Sequence, residues 1–137
     1  MTEPPTTGPV RVVVVDDHVL FGAALDQLLG DAGGFDVVGH ATTAAQAVDL
    51  VERLQPGVVL VDVLLPDGSG LDVCRRLVSD RPSVRVVVIT SFGGEVMVRG
   101  AAAAGAWAFV AKQIDGTDLV RTLRRVGAGE RLLHPRA

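Results

Sequence analysis

The chain has 137 residues, 48% of them apolar, a single cysteine and a formal net charge of −3. That length suits one domain whose core stands without disulfides or structural metal, and one cysteine excludes an internal disulfide. No apolar run approaches the roughly 20 residues of a membrane-spanning helix, no basic segment followed by an apolar one opens the chain, and the acidic balance gives no electrostatic footprint for nucleic acid. A soluble cytoplasmic protein without membrane contact is the expectation, with any DNA binding left to another segment.

Met1 to Pro9 is rich in Pro and Thr, so residues 1–10 are expected to form a disordered tail, with order beginning at Arg11. Short, almost purely apolar runs follow at Val12 to Val15, Val58 to Val61, Val84 to Ile89 and Trp107 to Ala111, with a weaker one at Phe35 to Ala41. Apolar residues that run on rather than alternate indicate strands covered on both faces, as in a parallel sheet. Helical periodicity fills the gaps. Val19 to Leu29 groups Val19, Leu25, Leu28 and Leu29, and Ala44 to Leu54 groups Ala44, Ala47, Val48, Val51 and Leu54. Leu71 to Val78 groups Leu71, Cys74, Leu77 and Val78, and Leu119 to Val126 groups Leu119, Val120, Leu123 and Val126. Glu95 to Ala104 is compatible with a helix but poorly patterned, with glycines at 93, 94 and 100. Five strands alternating with five helices predict right-handed crossovers and an open, doubly wound α/β sheet.

In such a sheet ligands bind beyond the carboxyl ends of the strands, and the polar residues fall there. Asp16 and Asp17 end the first strand, Asp62 the third, Thr90 and Ser91 the fourth, and Lys112, the only lysine, the fifth. Carboxylates gathered in one shallow pocket repel one another unless a cation is present. Mg2+, with its preference for oxygen ligands, suits them better than zinc, because His18, His40 and His134 are scattered and no Cys or His grouping has zinc-like spacing. A divalent cation, a lysine and a hydroxyl around a carboxylate are also the parts of phosphoryl transfer. Asp62, alone at its strand end, is the expected nucleophile, Asp16 and Asp17 the metal-holding pair, and Thr90 a donor to the new phosphoryl oxygen.

These residues, in this order, resemble the receiver domains of two-component response regulators. The resemblance runs from about Arg11 to Gly127. It rests on Asp16-Asp17 after an apolar strand, on Val-Asp-Val-Leu-Leu-Pro-Asp-Gly-Ser-Gly from Val61 to Gly70, on Thr90-Ser91, and on Gly-Ala-x-x-Phe-x-x-Lys ending at Lys112. It implies the flavodoxin-like (CheY-like) strand order 2-1-3-4-5, which the sequence periodicity does not supply. It further implies Asp62 as phosphoacceptor, Asp16, Asp17, Asp62 and the main-chain carbonyl of Leu64 as the Mg2+ ligands, Lys112 as the phosphate-pairing lysine, Thr90 as the switch hydroxyl and Phe109 as the switch aromatic. A sensor histidine kinase is the implied donor, and a homodimer a possible consequence of phosphorylation. The stretches Asp17 to Phe21 and Ala128 to Pro135 are similar to the subfamily carrying a C-terminal LuxR-type helix-turn-helix (the NarL type), so residues 11–127 are expected to be the receiver and 128–137 the start of a linker to an absent DNA-binding output domain for transcription regulation. Two departures stand out. Gln113 replaces the proline that often follows the lysine, so no cis bond is assumed, and Phe109 lacks the hydroxyl of the commoner tyrosine. Trp107 replaces a small or polar residue and is expected on the surface near the output face.

Each signal has a plainer reading. One aspartate before a helix is usually an N-cap, and Thr90 or Ser91 could cap the fourth helix. Asp67 is assigned loop shaping only, Cys74 a core position, His18 the pocket rim, and the arginines at 121, 124 and 125 a solvated face, with a dimer or output contact as the sharper alternative. Haloacid-dehalogenase-type enzymes want a second aspartate two residues after the nucleophile, where this chain has Leu64, and no glycine-rich phosphate loop follows the first strand. The expectation is a phosphoacceptor signalling domain and not an enzyme acting on a separate substrate. A phosphorylation-independent interaction module is the alternative, disfavoured by the full set Asp16, Asp17, Asp62, Thr90 and Lys112.

Overall fold

The computed structural model describes residues 8–135. In chain order its elements are β1 (Val10–Val15), α1 (Val19–Ala32), β2 (Phe35–Ala41), α2 (Ala44–Leu54), β3 (Val58–Asp62), β4 (Leu64–Leu65), β5 (Gly68–Ser69), α3 (Gly70–Asp80), β6 (Arg85–Thr90), α4 (Glu95–Ala103), β7 (Ala108–Ala111) and α5 (Gly116–Gly127). The tail expected at residues 1–10 lies outside the described residues except for Gly8, Pro9 and Val10, and Val10 already opens β1.

Five strands form one parallel sheet in the order β2-β1-β3-β6-β7. Counting only these five, that is the 2-1-3-4-5 order expected from the resemblance. Their valine runs divide by alternation between two cores. Val13, Val15, Val59, Val61, Val86 and Val88 face one cluster with residues of α2, α3 and α4. Val12, Val14, Val58, Leu60, Val87 and Ile89 face the other with residues of α1 and α5. β-branched side chains fit a pleated surface covered on both sides, which is why the runs show no polar alternation.

Two expectations about side-chain placement need correction. Val19 is exposed; the buried face of α1 is Gly22, Leu25 and Leu29. At 100° per residue, Val19 lies roughly 120° around the helix from Leu25, outside the stripe. Trp107 is half-buried at the amino end of β7, with the Arg85 and Arg131 guanidinium groups 5.2 and 5.7 Å from its ring centroid. Cys74 is fully buried, its thiol 3.5 Å from the Ala104 carbonyl, and burial pushes its pKa up to about 12. No cis peptide occurs among the described residues, so Lys112–Gln113 is trans.

The link from β3 to α3 holds more than the loop shaping expected of Asp67. Leu64 and Leu65 pair antiparallel with Ser69 and Gly68. Gly70 then brings the start of α3 against β3 so closely that a Cβ would sit 2.0 Å from the Asp62 carbonyl oxygen, a place only glycine can take. Asp67 does more than shape this loop: its carboxylate accepts from the Ala44 and Ala45 amides at 2.7 and 3.1 Å, capping α2 beside the Thr43 cap. Those two backbone hydrogen bonds hold its pKa below the ordinary 3.8. The carboxylate form is thus the one folding favours, and its contribution is present above the unfolded value of 3.8 and lost as pH falls through the lower folded value. Asp67→Asn should lower the melting temperature at neutral pH, with the difference from the native chain vanishing as pH drops below that value in a pH series of thermal melts.

Candidate functional site

Parallel strands of similar register bring their carboxyl ends to one edge, and four of the expected residues meet there. The Asp16 amide donates to the Ala41 carbonyl at 2.9 Å as the chain leaves β1, and Asp62 closes β3 two strand positions away from β2. The Lys112 amide donates to the Thr90 carbonyl at 2.9 Å, aligning the end of β7 with the end of β6. The Asp16 and Asp62 side chains are 1% and 4% exposed, whereas that of Asp17 is 39% exposed at the mouth.

Lys112 is the hub. Its Nζ lies 2.8 Å from Asp16 Oδ2 and 2.9 Å from Asp62 Oδ2, and 4.7 Å from the centroid of the Phe21 ring. Burial alone would lower the ammonium's pKa, but the side chains of Asp16 and Asp62 outweigh it and hold the value above the ordinary 10.5. His18 completes the ring of contacts. Its Nδ1 is 2.7 Å from Lys112 Nζ and 3.0 Å from Asp16 Oδ1, so it accepts from the ammonium in one tautomer and donates to the carboxylate in the other. The His18 amide also donates to Asp16 Oδ1 at 2.7 Å. The place of His18 at the rim agrees with the reading of the sequence; its contact with Lys112, ninety-four residues away, has no sequence signal.

The Asp62 carboxylate is oriented by the Leu64 amide, which donates to Oδ1 at 3.2 Å. Thr90 is fully buried at the end of the neighbouring strand, and its Oγ1 accepts from the Phe92 amide at 3.1 Å. Phe109, in β7, is half-buried and packs with the core on the α2–α3–α4 side. The structure therefore gathers Asp16, Asp17, Asp62 and Lys112, adds His18, and leaves Thr90 and Phe109 engaged with other partners.

One ligand atom from each of Asp16, Asp17, His18 and Asp62 can be chosen so that all lie within 4.8 Å of one another. Asp16 Oδ2 is buried and accepts no well-formed hydrogen bond, its contact with Lys112 being an ion pair. Three carboxylates around a single ammonium leave net negative charge in the pocket, and such a set of oxygens fits a hard divalent cation. Without that cation the lysine alone offsets two buried carboxylates, and removing one partner of a buried ion pair is far costlier than an exposed one. Lys112→Met should therefore cost about 3 kcal/mol in metal-free urea unfolding at pH 7.

Comparison with known proteins agrees with this geometry. A model of the family "Response regulator receiver domain" matches residues 12–124. The DNA-binding transcriptional activator DevR/DosR of Mycobacterium tuberculosis is 41% identical over 128 residues, covering 93% of this chain and 59% of that protein. Response regulator GacA of Pseudomonas aeruginosa is 34% identical over 126 residues, covering 92% and 59%. The chain thus spans 59% of the length of either relative. Among solved structures, the signal receiver domain of a Mycobacterium tuberculosis protein assigned as the response regulator NarL superimposes with a TM-score of 0.86 at 32% identity, over 90% of this chain and 99% of that one. The family match runs from within β1 to within α5 and takes in every residue of the acidic pocket, and the chain belongs to the response regulator receiver domains.

Proposed function

We propose that Asp62 is the phosphoacceptor of a two-component signalling switch and that the acidic pocket works with Mg2+. The observation that carries this reading is the setting of Asp62: a carboxylate 4% exposed, held on one oxygen by the Leu64 amide and on the other by Lys112, with Asp16 paired to the same ammonium. Asp16, Asp17, Asp62 and the Leu64 main-chain carbonyl are the residues that would hold the ion, which when bound would neutralise charge on the transferring phosphoryl group. The donor is a sensor histidine kinase. An Asp62 carboxylate oxygen attacks the phosphorus, the new O–P bond forms as the N–P bond to the kinase imidazole breaks, and the imidazole leaves with that electron pair. Lys112, already in place beside Asp62, pairs with the phosphoryl oxygens.

The response follows from what the phosphate attracts. The Thr90 hydroxyl turns from the Phe92 amide to the phosphoryl oxygen, Phe109 repacks, and the surface of α4, β7 and α5 shifts between two states. Residues 11–127 act as the receiver, and 128–137 lead towards a DNA-binding domain, by analogy with a relative named a DNA-binding transcriptional activator that extends well beyond the matched region. Transcription regulation in the cytoplasm, with a homodimer formed on phosphorylation, completes the reading. The pairing of Lys112 with Asp16 and Asp62 favours one second reading, a phosphorylation-independent interaction module whose pocket is already neutral enough to stay folded.

Intact-mass analysis after incubation with acetyl phosphate and Mg2+ separates the two. One phosphoryl adduct, dependent on Mg2+ and missing in Asp62→Asn, is expected. An adduct that persists in Asp62→Asn, or none in folded protein even with a panel of histidine kinases, would overturn the phosphoacceptor reading.

A further inference from the structure

The chain does not leave the domain after α5. Gly129 turns it with φ +98°, the Gly129 and Glu130 amides donate to the Val126 and Arg125 carbonyls at 2.9 Å, and the Glu130 carboxylate takes two hydrogen bonds from the Arg125 guanidinium at 2.8 and 2.6 Å. Arg131 to Leu133 then cross the amino end of β7. The Leu132 and Leu133 amides both donate to the Trp107 carbonyl, at 2.8 and 2.9 Å. The Arg131 guanidinium lies by the Trp107 ring and donates to the Leu133 and Ala106 carbonyls at 2.8 and 3.4 Å. Arg85, by the same ring, is tied to the Val126 and Gly127 carbonyls at 3.1 and 2.8 Å. The two leucines part at the sheet. Leu132 packs with the α1–α5 core, and Leu133 with the core that also receives Met97 of α4 and Phe109.

This seat is specific but shallow: Arg131, Leu132 and Leu133 are each only half-buried. Its neighbour α4 is weakly anchored. The Gly94 N-cap offers no side-chain hydrogen bond, and the fully buried residues of the helix are Ala101 and Ala102, which contribute little apolar area. Between α4 and the segment lies a cleft of about 580 Å3, bordered by Val98 and Ala102 on one side and Leu132, Leu133 and Pro135 on the other. An element with a bare N-terminus, small buried side chains and open space beside it moves at low cost.

We infer that residues 131–133 form a latch, seated on Trp107 while α4 keeps its present place and released when α4 shifts, so that the state of the acidic pocket reaches the C-terminal segment. The trigger rests on the phosphoacceptor reading; the latch itself rests on the contacts around Trp107. Arg131 makes release readable, because trypsin cleaves after arginine and cleavage follows the open population when opening and closing are fast.

The test is limited trypsin digestion of the full chain, untreated and after acetyl phosphate with Mg2+, with intact mass sorting phosphorylated from unmodified molecules. The emission of Trp107, the only tryptophan, is followed in parallel. Cleavage after Arg131 should be about fivefold faster in phosphorylated molecules and comparably fast in unmodified Leu133→Ala, as expected for loss of a modest hold, with a red shift of emission in both. Equal cleavage of phosphorylated and unmodified molecules would overturn the coupling to α4, and native-like cleavage of Leu133→Ala would overturn the latch. If no adduct forms with acetyl phosphate or with a panel of histidine kinases, the phosphoacceptor reading alone is struck, and the Leu133→Ala arm still decides the latch.

Discussion

Asp16 and Asp62 are withdrawn from water at the end of two adjacent parallel strands, with one ammonium between them. Repulsion of this kind disfavours folding unless it is offset, and most of the local structure is concerned with offsetting it. β7 delivers Lys112 to within 2.9 Å of both carboxylates, Phe21 of α1 places an aromatic face near the ammonium, and His18 adds a polar contact at the rim. One ammonium cannot offset three carboxylates, and the uncompensated charge, with the half-exposed Asp17 at the mouth, is the part suited to a divalent cation. The same tension that burdens the fold is therefore what suits the pocket to a divalent cation.

The scaffold around this edge is stiff where it must be and loose where it can be. Three helices begin with a side chain accepting a backbone amide, Thr43 and Asp67 for α2, Ser69 for α3 and Asp115 for α5. Gly70 locks α3 onto the Asp62 main chain. α1 and α4 have no such cap. α1 compensates with Leu25 and Leu29 in the core, whereas α4 buries alanines alone. The difference in anchoring leaves α4 less firmly held than the capped helices, and its Met97 packs on the same core as Phe109 and Leu133.

Much of this was legible in the sequence because it is written in short-range patterns. Unbroken valine runs mark strands buried on both faces, and polar residues at the ends of those runs mark the ligand edge. The ends of α2 and the span of β2 fall where periodicity places them. What escaped depends on contacts between distant residues. The capping of α2 by Asp67, more than twenty positions away, looks like ordinary turn chemistry in the sequence. Gly70 reads as a helix start until the Asp62 carbonyl is seen against it. Val19 is apolar like the stripe it adjoins but its angular position leaves it outside, and nothing in the sequence announces the two arginines beside the Trp107 ring. Strand order came from resemblance, since a parallel sheet of five similar runs leaves its pairing unspecified by periodicity.

The claim on which the rest depends is that carboxylate repulsion, only partly relieved by Lys112, is what a divalent cation relieves. It is tested most directly by the thermal unfolding midpoint of the native chain and of Asp17→Asn, each with a chelator and with Mg2+. The account predicts that Mg2+ raises the native midpoint, that Asp17→Asn is the more stable of the two in chelator, and that its response to Mg2+ is weakened. Midpoints unchanged by Mg2+ and by Asp17→Asn would contradict it.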